Sequence, residues 1–98
     1  MKYRELYENP FVVGDIVQHF KRETISDERK ASNEYLYQIK AFATHTETYG
    51  TMVVYQALYE PFSMWVRPLC DFCDKVDKEK YPDIKQFYRF EKYEVKSK

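Results

Sequence analysis

Ninety-eight residues are expected to form one domain with a single modest core, with no room for a second. Sixteen Lys and Arg balance sixteen Asp and Glu, so the chain lacks the overall basic footprint of a dedicated DNA or RNA binder. Ten Tyr, seven Phe and one Trp supply much of the apolar content, which suits the pleated, half-buried surfaces of β-sheets.

Met1–Pro10 is polar, without a hydrophobic signal region, and no apolar run in the chain nears the ~20 residues of a membrane-spanning helix. The expectation is a soluble, cytoplasmic protein with no membrane association. The segment reads either as a short helical turn ended by Pro10, with Leu6 and Tyr7 packing down, or as a loosely held arm. Residues 1–13 are assigned to this arm, 14–93 to the single domain and 94–98 to a fraying tail.

Gly14-Asp15 makes a turn into a first strand in which Ile16, Gln18 and Phe20 face one way and Val17 and His19 the other. His19 reads as a packed, hydrogen-bonded side chain rather than a ligand. Lys21–Asn33 has Ile25 as its only large apolar residue. It reads as a long mobile loop, with a helical turn capped by Ser26 as the alternative. Glu34–Thr44 alternates clearly: Tyr35, Tyr37, Ile39, Ala41 and Ala43 share one face, and Leu36, Gln38, Lys40, Phe42 and Thr44 the other.

His45–Thr51 is a connection in which Gly50 is free to take positive φ. Met52–Tyr59 and Ser63–Leu69 read as two strands joined by a turn at Glu60-Pro61-Phe62-Ser63, with Pro68 marking an edge or bulge. Alternation places Val54, Leu58, Met64 and Val66 inside. It leaves Tyr55, Tyr59, Trp65 and Arg67 on the alternate positions, either as a surface with recognition chemistry or with Trp65 in the core and Arg67 reaching a carboxylate such as Glu47. Leu69, Phe72 and Val76 are spaced for one face of a short helical turn, and Ile84–Tyr93 reads as the last strand. About five short strands with one helical turn suggest a mainly β fold, a small antiparallel barrel or roll that buries its own edges.

Three stretches carry a family resemblance: Gly14–Lys21 (G-D-I-V-Q-H-F-K), His45-Thr46-Glu47-Thr48 through Val53-Val54-Tyr55, and Trp65-Val66-Arg67-Pro68-Leu69. Over roughly Gly14 to Tyr93 the chain resembles domain-of-unknown-function family 1653 of small bacterial proteins. The resemblance implies a small SH3-like barrel or roll, and no activity. The chain departs from the family pattern in the longer Lys21–Asn33 segment, in Gln56 where an Arg is common, and in Cys70-Asp71 before Phe72.

Cys70-x-x-Cys73 supplies two of the four ligands a structural zinc needs, and the two histidines, His19 and His45, are not paired in spacing. A redox role needs the pair at a helix N-terminus in a βαβ unit, which the pattern lacks. No metal and no cofactor is assigned, and two thiols at a helical turn, at least one of them buried, fit a reducing compartment. His45 and Glu47 form a His–carboxylate pair of the kind used in general acid–base catalysis, but no nucleophile signature or phosphate loop accompanies them. No catalytic residue is assigned. The favoured reading is a non-enzymatic binding module that presents Tyr55, Tyr59, Trp65 and Arg67 to a peptide or protein partner; nucleic acid is disfavoured by the zero net charge. The alternative is a small ligand-binding protein or enzyme using His45, Glu47 and Arg67.

Overall fold

The computed structural model describes residues 9–94. The arm expected over Met1–Pro10 lies, up to residue 8, outside these, as does the tail from residue 95. Five strands, β1 (Ile16–His19), β2 (Leu36–Thr44), β3 (Thr51–Ala57), β4 (Met64–Pro68) and β5 (Phe90–Lys92), form one antiparallel sheet in the order β4-β3-β2-β1-β5. Two short helices accompany it, α1 (Asp27–Lys30) and α2 (Leu69–Phe72). The fold is therefore mainly β, as the alternation implies. The sheet is a roll rather than a closed barrel: β4 and β5 are its two edges and share no ladder. Among the described residues no helix is long and apolar enough to cross a membrane.

One core holds the roll together. Phe72 and Phe90 stack at 4.1 Å with planes 2° apart, and Phe11 and Tyr55 meet Phe72 edge-on at 5.4 and 5.2 Å. Such aromatic pairs add about 0.5–1.5 kcal/mol beyond the area they bury. Val17, Ile39, Val53 and Leu69 complete the cluster.

The inner face of the β3–β4 hairpin is the opposite of the expected one. Val53, Tyr55 and Ala57 are buried, whereas Met64 and Val66, expected inside, are 54% and 61% exposed, and Val54 and Leu58 are only half-buried. Both parities of this stretch are apolar, so alternation alone does not choose between them. The choice is made by the neighbour strand: Ile39 pairs with Tyr55 and Tyr37 with Ala57, which puts Tyr55 on the face that β2 and β1 also bury. Between Ile39 and Ala41 the register shifts, leaving Lys40 as a β-bulge. Beyond it Phe42 opposes buried Val53, while Ala41 and Ala43 oppose the half-buried Val54 and Met52. The expected single face running from Tyr35 to Ala43 is broken there.

The turns follow local chemistry. Gly14, at φ 98°, holds a conformation that side chains avoid, and Asp15 Oδ2 accepts from Val12 N at 2.9 Å. In the β2–β3 connection the positive φ belongs to Tyr49 (62°), not to Gly50. His45 Nδ1 accepts from Glu47 N at 3.0 Å and Thr48 N at 3.3 Å, and His45 N donates to Gly50 O. The turn at Glu60–Ser63 closes through Ala57 N to Ser63 O, braced by Gln56 Nε2 on Phe62 O at 3.0 Å.

The segment expected as a loop, Lys21–Asn33, is folded. A 3-10 helix spans Phe20–Thr24, and Ser26 Oγ caps α1 by accepting from Arg29 N. Arg22, 8% exposed, donates to the carbonyls of Glu34 (2.6 Å), Lys30 (2.8 Å) and Ser32 (3.3 Å), stapling the segment onto the start of β2. The expected last strand is shorter than Ile84–Tyr93. Its first half makes one antiparallel bridge, Lys75 with Tyr88, and is otherwise held by side chains: the Glu23 carboxylate accepts from Lys85 N and Gln86 N, and the buried Gln86 amide is directed at carbonyls of Gln18, Tyr88 and Arg89.

Candidate functional site

Two adjoining cavities run beside the β4 edge. One, of about 170 Å³, is lined by Tyr35, Tyr37, Tyr55, Trp65 and Phe90 with His19, Lys21 and Arg67. The other, of about 280 Å³, adds Lys80, Tyr81 and Arg89, with Asp77 as its one acidic lining residue. They share His19, Lys21 and Arg67, so together they form one groove with an aromatic end and a cationic end.

Strand pairing builds the aromatic end. Tyr55 on β3 pairs with Trp65 on β4, so the two rings rise from the same face. Tyr55 is buried and Trp65 is 52% exposed, which makes Trp65 the rim of the groove and Tyr55 its floor. Tyr35 is held at φ 68°, a conformation costing a bulky residue about 1–2 kcal/mol. Its ring lies 5.9 Å from His19 and 6.2 Å from Tyr59. Tyr59 is half-buried and its hydroxyl lies 2.7 Å from that of Tyr37. Burial, then the bond to Tyr59, holds the Tyr37 phenol well above the usual tyrosine range.

His19 sits where the two cavities meet. It stacks on Phe20 at 4.5 Å and meets Phe90 edge-on at 5.0 Å, and its Nδ1 accepts from Lys21 N to cap the 3-10 helix. Burial, then the charges of Arg67, Lys21 and Arg89, push its pKa down to about 3. The imidazole is therefore neutral at pH 7, a packed and hydrogen-bonded histidine as the pattern suggests.

At the cationic end Arg67 has three neighbours. Its Nε donates to Tyr55 Oη at 3.3 Å, its guanidinium lies 5.8 Å from the Phe90 ring centre, and one terminal nitrogen lies 3.4 Å from Asp71 Oδ2. The other Asp71 oxygen lies 3.5 Å from Arg89. One carboxylate thus bridges two guanidiniums.

The structure gathers Tyr55, Trp65 and Arg67 at this groove and packs Tyr59 behind it. It does not bring His45 and Arg67 together: His45 lines a separate cavity of about 510 Å³ with Thr48, Tyr49, Gly50, Met52, Pro68, Leu69 and Cys70, among others. Among the described residues no Asp, Glu, Lys or Arg lines that cavity. His45 Nδ1 is engaged by its own turn, and exposed Glu47 contributes its backbone N–H to it. Cys70 is exposed and Cys73 lies in the core, so the C-x-x-C pair spans the surface and interior of the α2 turn. Among the described residues no group of three or more His, Cys, Asp or Glu is placed to hold a metal ion.

Sequence reasoning missed His19, Lys21, Tyr35, Tyr37, Lys80, Tyr81, Arg89 and Phe90 as groove residues. They come from separate segments, and only the alternating Tyr35 and Tyr37 gave a local sign of a shared surface. A family model described as "Protein of unknown function (DUF1653)" matches residues 15–92. No curated protein and no solved structure matches the chain.

Proposed function

We propose, on the premise that the chain belongs to the DUF1653 family of proteins of unknown function, that it is a non-enzymatic binding module whose groove takes an extended peptide segment of a partner protein. One observation carries this reading: Trp65, the only tryptophan, is half-exposed at the rim of a concave aromatic groove with Arg67 on the same strand. Exposing a large indole to water has a cost that a partner would remove, and Trp, Tyr and Arg dominate binding hot spots. The β4 edge points to a peptide as the partner's form, because among the described residues β4 is paired in the sheet with β3 alone, and a peptide backbone offers the matching hydrogen-bonding groups. Groove cavities of about 170 and 280 Å³ suit a few side chains rather than a folded domain. The cytoplasm is the proposed setting, since an exposed Cys70 three residues from a buried Cys73 suits a reducing compartment.

The test uses Trp65 as its own reporter. A library of short synthetic peptides is titrated against the protein while its fluorescence is followed. Binders are expected to shift Trp65 emission to shorter wavelength, and Trp65→Ala is expected to lose them by isothermal titration calorimetry while remaining folded by circular dichroism. Binders that leave Trp65 emission unchanged and instead perturb the NMR signals of Met64 and Val66 on the outer face overturn the groove as the site.

A further inference from the structure

A chain with no net charge concentrates four cations, Lys21, Arg67, Lys80 and Arg89, along one groove whose only acidic lining residue, among the described residues, is Asp77. Asp71, beside the groove, lies between Arg67 and Arg89 but holds both loosely. Its contacts of 3.4 and 3.5 Å are longer than the ~2.7–2.9 Å of a strong charge-assisted hydrogen bond, and its side chain is 49% exposed. We propose that the corner formed by Lys21, Arg67 and Arg89 is a carboxylate subsite, in which an Asp or Glu side chain of the bound peptide takes the place of Asp71 between the two guanidiniums. This rests on the peptide groove proposed above and names the chemistry of its ligand.

Three features support it. The geometry already accepts a carboxylate, since Asp71 spans both arginines. Arg67 is oriented before any ligand arrives, by Tyr55 Oη and the Phe90 ring, so less ordering is needed on binding. The local field is positive: after burial, the charges of Arg67, Lys21 and Arg89 all disfavour a proton on His19. The aromatic end, lined by Tyr35, Tyr55 and Trp65, lies next to this corner and suits an apolar or aromatic residue adjacent to the acid.

The experiment compares two fluorescein-labelled peptides, Glu-Glu-Tyr-Pro-Glu-Glu and Gln-Gln-Tyr-Pro-Gln-Gln, by anisotropy at low salt, with a ten-nucleotide oligothymidylate as competitor. The acidic peptide is expected to bind at least ten-fold more tightly, and its advantage is expected to shrink as salt screens the corner. Arg89→Gln and Lys21→Gln are expected to bring the acidic peptide close to the level of the neutral one. Asp71→Asn, which removes the internal competitor, is expected to tighten the acidic peptide several-fold and leave the neutral one unchanged. Thermal melting of each variant separates loss of binding from loss of fold. Equal binding of the two peptides overturns the carboxylate subsite and leaves the groove standing. Failure of both to bind or to change Trp65 emission overturns both readings. Tighter binding of the oligothymidylate assigns the corner to phosphates and overturns the peptide ligand.

Discussion

Trp65 stands directly across the β3–β4 ladder from Tyr55, on the same face of the sheet, yet one ring is 52% exposed and the other 4%. The pair marks the line where the core ends and the groove begins. Tyr55 contacts Phe72 and Phe90 at 5.2 and 5.4 Å, so its removal opens the core, whereas Trp65 has half its surface in water. Tyr55→Ala is expected to lower stability by about 3–5 kcal/mol, in the range for deleting a buried aromatic ring. Trp65→Ala is expected to cost about 1 kcal/mol or less. Urea denaturation of the two variants checks the difference. Similar losses at both positions would mean that Trp65 is core.

The inverted faces of the hairpin give a second contrast, between neighbouring positions. Val53 is fully buried and Val66 is 61% exposed. Val53→Ala is expected to cost about 2 kcal/mol, from roughly 0.8 kcal/mol per buried methylene plus the cavity left behind. Val66→Ala is expected to stay within about 0.5 kcal/mol of the parent. Chemical denaturation midpoints decide between this parity and its opposite.

His19 makes stability depend on pH in a stated direction. Its folded pKa is about 3 against an ordinary 6.5, so between these values the unfolded chain binds the extra proton. Stability contributed by this group is full above about pH 6.5 and falls as the pH drops toward 3, by at most about 1.4 kcal/mol per pH unit. Protonation also removes the Nδ1 acceptor that caps Lys21 N. His19→Asn keeps a capping acceptor without the titration. Unfolding free energies measured from pH 6.5 to 4 are expected to fall less steeply in this variant, and parallel slopes would show that His19 does not titrate in this way.

Arg22 predicts a local effect. Its guanidinium serves three carbonyls from Lys30 to Glu34, a task for a planar fork of five donors that a lysine ammonium does not reproduce. Arg22→Lys is expected to cost about 1–3 kcal/mol, as a buried cation keeps fewer of its hydrogen bonds. Amide hydrogen exchange is expected to accelerate first around residues 26–35. Uniform acceleration across the sheet would instead assign Arg22 a global role.

Much of the fold was legible. The strands Ile16–His19 and Leu36–Thr44 fall where the sequence alternates, Pro61 marks the hairpin turn, and Leu69, Phe72 and Val76 carry helical spacing that the structure buries. The parity of Thr51–Ala57 was not legible, because Met52 and Val54 are as apolar as Val53 and Tyr55, and pairing with β2 makes the choice. The length of the last strand was hidden for a related reason. Ile84–Arg89 looks extended, but its N–H groups from Lys85 to Tyr88 go to the side chains of Glu23 and Glu91, and a single bridge of Tyr88 with Lys75 replaces a strand ladder. Of the site, Tyr55, Trp65 and Arg67 were readable as one face from spacing alone. Arg89 and Lys21 were not, since only the return of the chain past β1 places them beside Arg67.

The β-bulge at Lys40 has a consequence for anyone who compares or redesigns such chains. It divides β2 into two reading frames: odd positions point inward up to Ile39, and even positions do so from Phe42. An alignment that slides a gap through this strand, or a graft that ignores the extra residue, exchanges inside for outside over every position that follows. The shape of the roll is thus encoded partly in the phase between its side chains, carried by one exposed lysine whose presence in the count matters more than its charge.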